Sequence, residues 1–426
     1  MRNAKKHFTT HRLYPWLVII LAASFLFYKY ILQVSPSIMT DDLMGEFHIE
    51  GASLGNLAAS FFYSFLIAQL FVGLLLDKYS PRLLTTAALL LCAVGAYCFS
   101  IADNLVLAAW ARALMGVGAA FATVSYMKMT SLWFKPPQFA FVGGLLASAA
   151  MLGAIAGQMP LSLVINTVGW RHSLGLCAIL GVFLAALFFC LVRDKPKNEN
   201  RSPVTTAATK FSYPDVWAVF TNKQNWLITC YSGLAFSPID AFAGLWSIPF
   251  LKQSYQLTHT QAAFFVSFVF FGLALGSPLL GLLSDRLGQR RRVMLGSACV
   301  AFATMTLIIY SRHLPLGLLG GLLFLFGFST GAFMLGFALG RDLNKLTVAA
   351  TIMAFINTGD VLFSAFTEPL IGKLLDGGRS GHLVISSIHY FSETDYRHAL
   401  TVLPVYILLS IVLLIFIREP NKHSLV

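Results

Sequence analysis

Four charged side chains lie deep inside long apolar segments, and these residues have the clearest potential for chemistry. Lys29 and Arg112 occur in the first half of the chain, and Asp240 and Asp360 occur in the second. A charge at the centre of a bilayer costs at least about 2.5–3.5 kcal/mol, so each side chain must face protein or water. Lysine and arginine can bind a carboxylate, whereas aspartate can bind an amine or carry a proton.

Polar residues accompany these charges at helical spacing. Gln33 follows Lys29 by four residues, which places both on one helix face. A second polar stripe has steps of three, four and four residues and consists of Asn357, Asp360, Ser364 and Glu368. The predicted solute-binding residues are Lys29, Gln33, Arg112, Asp240, Asn357 and Asp360. The proton-coupling candidates are Asp240, Asp360 and Arg112.

The composition requires a membrane protein around these residues. The 426 residues are 57% hydrophobic and only 11% charged, whereas soluble domains carry about 25% charged residues. Twelve apolar runs are each near the length of about 20 residues that crosses a bilayer. They begin near residues 14, 53, 83, 105, 139, 173, 226, 260, 293, 315, 349 and 399. The predicted fold is an all-α membrane protein with twelve transmembrane helices in a 6+6 arrangement.

A polar segment separates the two sets of six helices. The predicted domains are a first bundle at 1–192, a cytoplasmic linker at 193–224 and a second bundle at 225–426. With both termini in the cytoplasm, 21 lysines and arginines lie on the cytoplasmic side, six on the other side and three within spans. This distribution follows the positive-inside rule. The net charge of +12 therefore reflects membrane orientation and does not indicate nucleic-acid binding.

Signatures of enzymatic chemistry are not evident in the sequence. All six cysteines fall in apolar segments, where they predict neither a disulfide framework nor a metal cluster. There is no nucleophile elbow, phosphate-binding loop or metal-ligand spacing. The sequence predicts no enzyme activity, no cofactor and no metal.

A short motif occurs twice at half-chain spacing. It reads "GLLLDKYSPR" after the second span and "GLLSDRLGQRRR" after the eighth, and its two aspartates, Asp77 and Asp285, are 208 residues apart. The spacing predicts an internal repeat of six spans. The motif residues are Gly73, Asp77, Lys78 and Arg82 in the first copy and Gly281, Asp285, Arg286, Gly288 and Arg290 in the second. Glycine would let the helix end approach its neighbour closely.

This duplicated motif resembles the signature loop of the major facilitator superfamily. The first copy has Ser80 and Pro81 where the family has a glycine and a basic residue. The resemblance implies that the motif residues form a cytoplasmic gate and that transport proceeds by alternating access. The stretch "ARALMGVG" around Arg112 resembles the fourth-helix motif of the family. That resemblance implies a role for the arginine in proton coupling or solute binding.

The residues and the resemblance together predict proton-coupled symport of a small zwitterionic solute. The segment "YKYILQVSPSIM" also resembles the first span of phagosomal nutrient transporters of intracellular bacteria. That resemblance implies amino acids or nucleosides as cargo and a bacterial inner-membrane location. The predicted solute class comprises amino acids, short peptides and nucleosides. The expected partners are the solute, protons and the lipid bilayer, and the expected state is a monomer.

Other functions remain open at this point. Two deep cations also fit the import or export of a polycarboxylate or a carboxylate siderophore. A nutrient sensor that does not transport is a third hypothesis. The repeat shift places the counterpart of Lys29 at residue 237, one helical turn from Asp240. Lys29 and Asp240 are therefore predicted to face one cavity, either as solute ligands or as a structural ion pair.

Overall fold

The computed structural model describes residues 13–134, 136–194, 213–312, 314–345, 348–378, 383–385 and 388–419. These residues divide into two compact units. The first unit holds residues 13–35 and 60–194, and the second holds residues 36–59 and 213–419. Residues 36–59 thus pack with the second unit although they are part of the first predicted bundle. The domain boundaries at 192 and 225 stay a prediction.

Helices dominate the chain up to residue 191. In chain order they are α1 (Tyr14–Val34), a 3₁₀ turn (Ser35–Ile38), α2 (Thr40–Phe47), α3 (Gly51–Lys78), α4 (Pro81–Ser100), α5 (Leu105–Trp133), α6 (Pro136–Ala156) and α7 (Met159–Leu191). Side-chain caps begin two of them. Asn104 Oδ1 accepts a hydrogen bond from Leu107 N at 2.8 Å, and Ser80 Oγ accepts one from Leu83 N at 3.3 Å.

The second half of the chain repeats this helical pattern. It contains α8 (Tyr213–Thr221), α9 (Lys223–Pro238), a π-helix (Ile239–Trp246), α10 (Ser247–Tyr255), α11 (His259–Leu287), α12 (Arg290–Tyr310), α13 (Leu316–Thr330), a 3₁₀ turn (Gly331–Phe333), α14 (Met334–Asp342), α15 (Ala349–Gly377), β1 (Leu383–Ile385), β2 (Ile388–Tyr390), α16 (Glu393–Leu400) and α17 (Val402–Phe416). Helix α8 lies within the segment predicted to be a linker.

The helices account for the twelve predicted spans. Among the described residues, ten helical stretches are long and apolar enough to cross a membrane. One stretch, Leu145–Leu191, has 47 residues, which is about 70 Å of helix and enough for two crossings. Gly169 divides it, because its φ of 79° lies outside the helical region. The ten stretches therefore provide eleven spans, and α15, which is the eleventh in chain order, brings the number to twelve. The predicted all-helical membrane fold is confirmed.

A small β-hairpin lies between the last two spans and was not predicted. Strands β1 and β2 are antiparallel and pair Leu383 with Tyr390 and Ile385 with Ile388. Both strands contain branched or aromatic residues, which favour strands. The all-α prediction therefore holds for the membrane-spanning part and misses this short connection.

The core of the second unit brings α9 and α15 together. Its buried apolar cluster includes Ile228 and Tyr231 of α9 and Ile352 and Ile356 of α15. The backbones also come close, since a Cβ added to Gly359 would lie 2.6 Å from the side chain of Thr229. This packing fixes the relative positions of the segments that carry Asp240 and Asp360.

The N-terminus of α3 is held by a carboxylate from α15. Asp376 accepts hydrogen bonds from Gly51 N (2.8 Å) and Ala52 N (2.7 Å), one at each oxygen. The first N–H groups of a helix have no partner within that helix, and an anion there also interacts favourably with the helix dipole. Asp376 therefore fixes the start of α3 within the second unit.

We expect Asp376→Ala to lower the free energy of unfolding by roughly 1–3 kcal/mol, because two backbone donors lose their acceptor. Asp376→Asn keeps one carbonyl acceptor and should lose less. The apparent Tm of the purified protein in detergent gives the measurement. The exposed Asp103 provides a control, since Asp103→Ala should leave the Tm unchanged. Equal Tm values for Asp376→Ala and the wild type would contradict this role.

Candidate functional site

Lys29 lies on α1 and belongs to the first unit. Its side chain is buried, with Nζ 3.8 Å from the ring centroid of Tyr30 and 5.4 Å from that of Phe65. Aromatic faces attract a cation through the ring quadrupole. Gln33, one turn further along α1, is also buried. The two predicted polar residues of α1 are therefore close together inside the protein.

Arg112 lies on α5 and reaches the end of α1. Its side chain is 1% exposed. Nη1 donates a hydrogen bond to the carbonyl oxygen of Leu32 at 2.7 Å, and Nη2 lies 3.4 Å from the carbonyl oxygen of Gln33. The guanidinium carbon is 5.0 Å from the ring centroid of Phe61. Gly116, one turn along α5, lies directly against the Phe61 backbone, where a side chain would clash.

Asp240 and Asp360 lie together in the second unit. Both are buried, and the charge of Asp240 acts on Asp360. Ser364 connects them, because its Oγ is 2.9 Å from Asp240 Oδ2 and 3.0 Å from the Asp360 carbonyl oxygen. The buried Ser232 of α9 also lies near the Asp360 carboxylate. The structure therefore contains a polar cluster of two carboxylates and two hydroxyls.

An irregular helix presents Asp240 to this cluster. Pro238 has no N–H for the carbonyl four residues earlier, and the π-helix Ile239–Trp246 begins at the next residue. Such π segments often occur at functional sites. Further along the π-helix, Trp246 Nε1 donates to the Glu368 carbonyl oxygen at 3.2 Å. Asn357 lies half-buried on α15, one turn before Asp360.

The first copy of the repeated motif contacts the end of α7. Arg82 Nε donates to the Phe189 carbonyl oxygen at 2.8 Å, and the Arg82 backbone N–H donates to Asp194 Oδ1 at 2.8 Å. Ser80 Oγ donates to Asp194 Oδ2 at 2.5 Å. Lys78 is exposed. Asp77 belongs to α3, and its side chain lies outside the described part of the structure.

The second copy makes its own contacts within the second unit. Arg290 lies 3.1 Å from Asp342 and 3.9 Å from Asp285. Gly288 ends α11 in the left-handed conformation, with φ 66°. Arg286 is exposed. These arginines join elements of one unit, and their role as gating residues stays a prediction.

Two of the three motif glycines, Gly73 and Gly281, have space beside them among the described residues. A Cβ added to Gly73 or Gly281 would meet no described atom within 4 Å. The expectation that these glycines allow a close helix approach stays a prediction. Both lie on the partly exposed ends of long helices, where space remains beside the backbone.

Sequence reasoning missed the acidic partners of the two motifs. Asp194 follows the last helix of the first half, and Glu419 follows the last helix of the second. Glu419 Oε1 accepts from Arg291 N at 3.4 Å, much as Asp194 accepts from Arg82 N. The signal was available, because "VRD" at 192–194 and "IRE" at 417–419 are matching triplets. The two triplets are 225 residues apart, whereas the two motif copies are 208 residues apart, so the motif repeat did not point to them.

A separate charged cluster ties α2 to α10 and α11. Lys252 forms an ion pair with Asp41, and His259 Nε2 contacts the Ile38 carbonyl oxygen. Partial desolvation raises the pKa of Asp42 beside them, although this residue remains exposed at the surface, and the nearby His259 partly offsets the effect. The Asp41 and Lys252 side chains are 49% and 30% exposed. An ion pair this accessible to water contributes only about 0–1 kcal/mol.

Long membrane-spanning helices, a half-length repeat and buried charged residues are the features of a multi-pass membrane protein with two related halves. A family model of the Major Facilitator Superfamily matches residues 17–366 and 234–425. The chain belongs to this superfamily, as its repeated motif predicted. Membership of this superfamily supports the predicted function of a secondary transporter rather than an enzyme.

Curated relatives share parts of the chain. The hexuronate transporter of Bacillus subtilis (strain 168) is 24% identical over 229 residues, which cover 53% of each chain. The probable L-galactonate transporter of Escherichia coli (strain K12) is 23% identical over 300 residues, which cover 66% of this chain and 65% of that one. The matched regions thus span from about half to just under two thirds of these relatives.

A solved structure has the same fold along nearly the whole chain. The crystal structure of a bacterial homolog of the human lysosomal transporter Spinster superposes with a TM-score of 0.77. The comparison covers 96% of this chain and 97% of that chain at 13% sequence identity. At this identity the similarity establishes the fold and leaves the solute to be determined.

Proposed function

We propose that this transporter carries a small organic solute with one carboxylate into the cell together with protons. The favoured class is zwitterionic, such as an amino acid or a short peptide. The observation that carries the proposal is the division of buried charge, with Lys29 in the first unit and Asp240 and Asp360 in the second. A solute with a carboxylate and an amine matches both signs. Alternating access about a site near mid-membrane is the expected mechanism.

The acidic cluster of the second unit supports the proton part of the proposal. Asp240 and Asp360 are both buried and interact, and Ser364 hydrogen bonds to both residues. Two negative charges that share a buried site repel each other, so the pair is suited to hold a proton. A proton bound there would reduce the charge of the site. The release of that proton can then be linked to movement of the solute.

Lys29 is the proposed ligand of the carboxylate. Arg112 was the other predicted cation, but its guanidinium already donates to backbone carbonyls. One cation suits one carboxylate better than the two or three carboxylates of a polycarboxylate or a siderophore. The hexuronate and L-galactonate named for two relatives also carry one carboxylate each.

These relatives favour a second candidate, an uptake carrier of sugar acids without an amine. Sugar acids would use the same cation and would fill the rest of the site with hydroxyl groups. In this case Asp240 and Asp360 would carry the proton and accept hydrogen bonds from the sugar hydroxyl groups, instead of binding an amine. The distinction between the two candidates is therefore whether the solute needs an amine.

The proposed location is the bacterial inner membrane, with both termini in the cytoplasm and the protein as a monomer. The excess of basic residues on one side, 21 against six, supports this orientation. Modification of single cysteines introduced at Lys5 and Arg312 would test it. A membrane-impermeant thiol reagent added to intact cells should label the second position and not the first.

Uptake by purified protein in liposomes tests the proposed activity. Labelled alanine, a dialanine peptide, glucuronate, galactonate and citrate would each be offered with and without an inward proton gradient. We expect accumulation of a monocarboxylate that a protonophore abolishes. Accumulation of citrate alone would overturn the one-carboxylate proposal. Accumulation that does not depend on the proton gradient would overturn the proposed proton coupling.

Counterflow separates a carrier from a sensor. Liposomes preloaded with unlabelled solute should take up labelled solute even without a proton gradient, because exchange needs only a site that alternates between the two sides. A protein that binds the solute but shows no counterflow would be a sensor.

A further inference from the structure

Pro36 creates a local deficit of hydrogen-bond donors at the end of α1. Proline has no backbone N–H. In an α-helix that N–H would reach the carbonyl of Leu32, four residues earlier, and in a 3₁₀ turn it would reach that of Gln33. The α-helix ends at Val34 and continues as a 3₁₀ turn over Ser35–Ile38. The missing N–H therefore leaves one acceptor position to be filled from elsewhere, at Leu32 where the turn is α-helical or at Gln33 where it is 3₁₀.

Arg112 supplies donors to the same two carbonyls. Its Nη1 is 2.7 Å from the Leu32 oxygen, and its Nη2 is 3.4 Å from the Gln33 oxygen. Ser35 Oγ also donates to the Leu32 oxygen, at 3.0 Å, and so fills its second acceptor position. The planar guanidinium can serve two neighbouring acceptors at once, which a lysine ammonium does less well.

This contact lies where the chain leaves the first unit. The unit boundary falls between Ser35 and Pro36. Gln33 and Lys29 lie within two turns of the break, on the same helix. The position of the last turns of α1 thus depends on how the broken end is held, and Arg112 holds it from α5.

We infer that Arg112 is a positioning residue that replaces the donor Pro36 lacks, and that it neither binds the solute nor carries the proton. It keeps the end of α1, with Gln33 and Lys29, in the geometry that the solute requires. Only the reference to the solute rests on the proposed function. The hydrogen-bonding role itself is independent of what the protein transports.

The test is a double-mutant cycle between Arg112 and Pro36. Arg112→Gln removes the guanidinium, and Pro36→Ala restores a backbone N–H that can reach Leu32 or Gln33. We expect Arg112→Gln to lower the Tm of the solute-free protein and to reduce the transport rate about tenfold or more, because the α1 residues lose their position. Pro36→Ala should restore more than half of both losses in the double variant.

Arg171 offers a matched control within the same unit. Its Nη1 donates to the Ser100 carbonyl oxygen at 3.0 Å, and no proline follows Ser100 by three or four residues. Any loss of stability in Arg171→Gln should therefore not be rescued by Pro36→Ala. Arg112→Lys keeps the charge but not the planar fork, and it should give an intermediate Tm that Pro36→Ala also raises. This variant keeps the test decisive if Arg112→Gln fails to fold.

Two outcomes would overturn the inference. The first is a normal solute-free Tm in Arg112→Gln together with loss of solute binding, which would indicate direct contact with the solute. The second is an absence of rescue by Pro36→Ala in both Arg112 variants. The solute-free Tm needs no solute, so it tests the inference even if the proposed transport activity is not found.

Discussion

Asp240→Asn and Asp360→Asn are each expected to abolish solute accumulation driven by a proton gradient, with counterflow retained. Asparagine preserves the size and most hydrogen bonds of aspartate but cannot take up or release a proton in this range. Exchange of solute for solute needs no net proton movement, so it should persist. The measurement is uptake by liposomes at a fixed inward proton gradient, beside counterflow in the same preparation.

The expected effect is large. One pH unit is worth about 1.36 kcal/mol, so a carrier that moves one proton per solute can concentrate the solute about tenfold for each unit. Asp240→Asn and Asp360→Asn should not concentrate the solute inside the liposomes at all. Ser364→Ala should reduce accumulation partially, since the hydroxyl that hydrogen bonds to both residues is lost. Asp103→Asn on the surface is the matched control. Full accumulation by both Asp240→Asn and Asp360→Asn would assign coupling to other residues.

The sequence was sufficient to predict the membrane fold, because hydropathy and the repeated motif act over long segments. Spans five and six merge into one helical stretch, and only the positive φ of Gly169 separates them. Glycine occurs at 33 positions in this chain, so its presence alone could not mark that break. The hairpin of β1 and β2 was missed because each strand has only three residues.

The candidate site was predicted in part. Buried charges at helical spacing identified Lys29, Asp240 and Asp360, since such residues are costly in a membrane unless they have a role. The same pattern included Ser364 but gave no reason to link it to Asp240, which is 124 residues away. That link depends on how α9 and α15 pack, and packing of distant helices is not encoded in a local pattern.

Arg112 shows why a buried charge can have several explanations. Its spacing and its motif favoured solute binding or proton coupling, whereas its contacts are backbone carbonyls about 80 residues earlier. The relevant signal was Pro36, since a proline beyond the first turn of a helix leaves a carbonyl without its helical donor. Neither Arg112 nor Pro36 predicts the interaction alone. Considered together, they predict that a donor and an acceptor must meet.

Recognition of the solute carboxylate is the property expected of Lys29. The Lys29 ammonium lies against the faces of two aromatic rings and carries three hydrogen-bond donors. A hydrogen bond to a charged group contributes roughly 1.5–3 kcal/mol. Loss of such a bond corresponds to about a ten- to hundredfold weaker affinity. The amide analogue of the same solute has no negative charge and should not use this interaction.

Lys29→Ala should therefore weaken binding of the carboxylate solute about ten- to a hundredfold and change binding of its amide much less. Competition against labelled solute would use alanine with alaninamide and N-acetylalanine, and glucuronate with glucuronamide. Lys29→Arg keeps the charge and should retain most of the discrimination. Gln33→Ala, one turn away on α1, should affect acid and amide equally and serves as the neighbouring control.

Weaker binding of N-acetylalanine than of alanine by the wild type would indicate that the site recognises the amine, as expected for a zwitterion. Equal losses for acid and amide in Lys29→Ala would show that Lys29 does not recognise the carboxylate, and its place in the interior would then reflect a structural interaction.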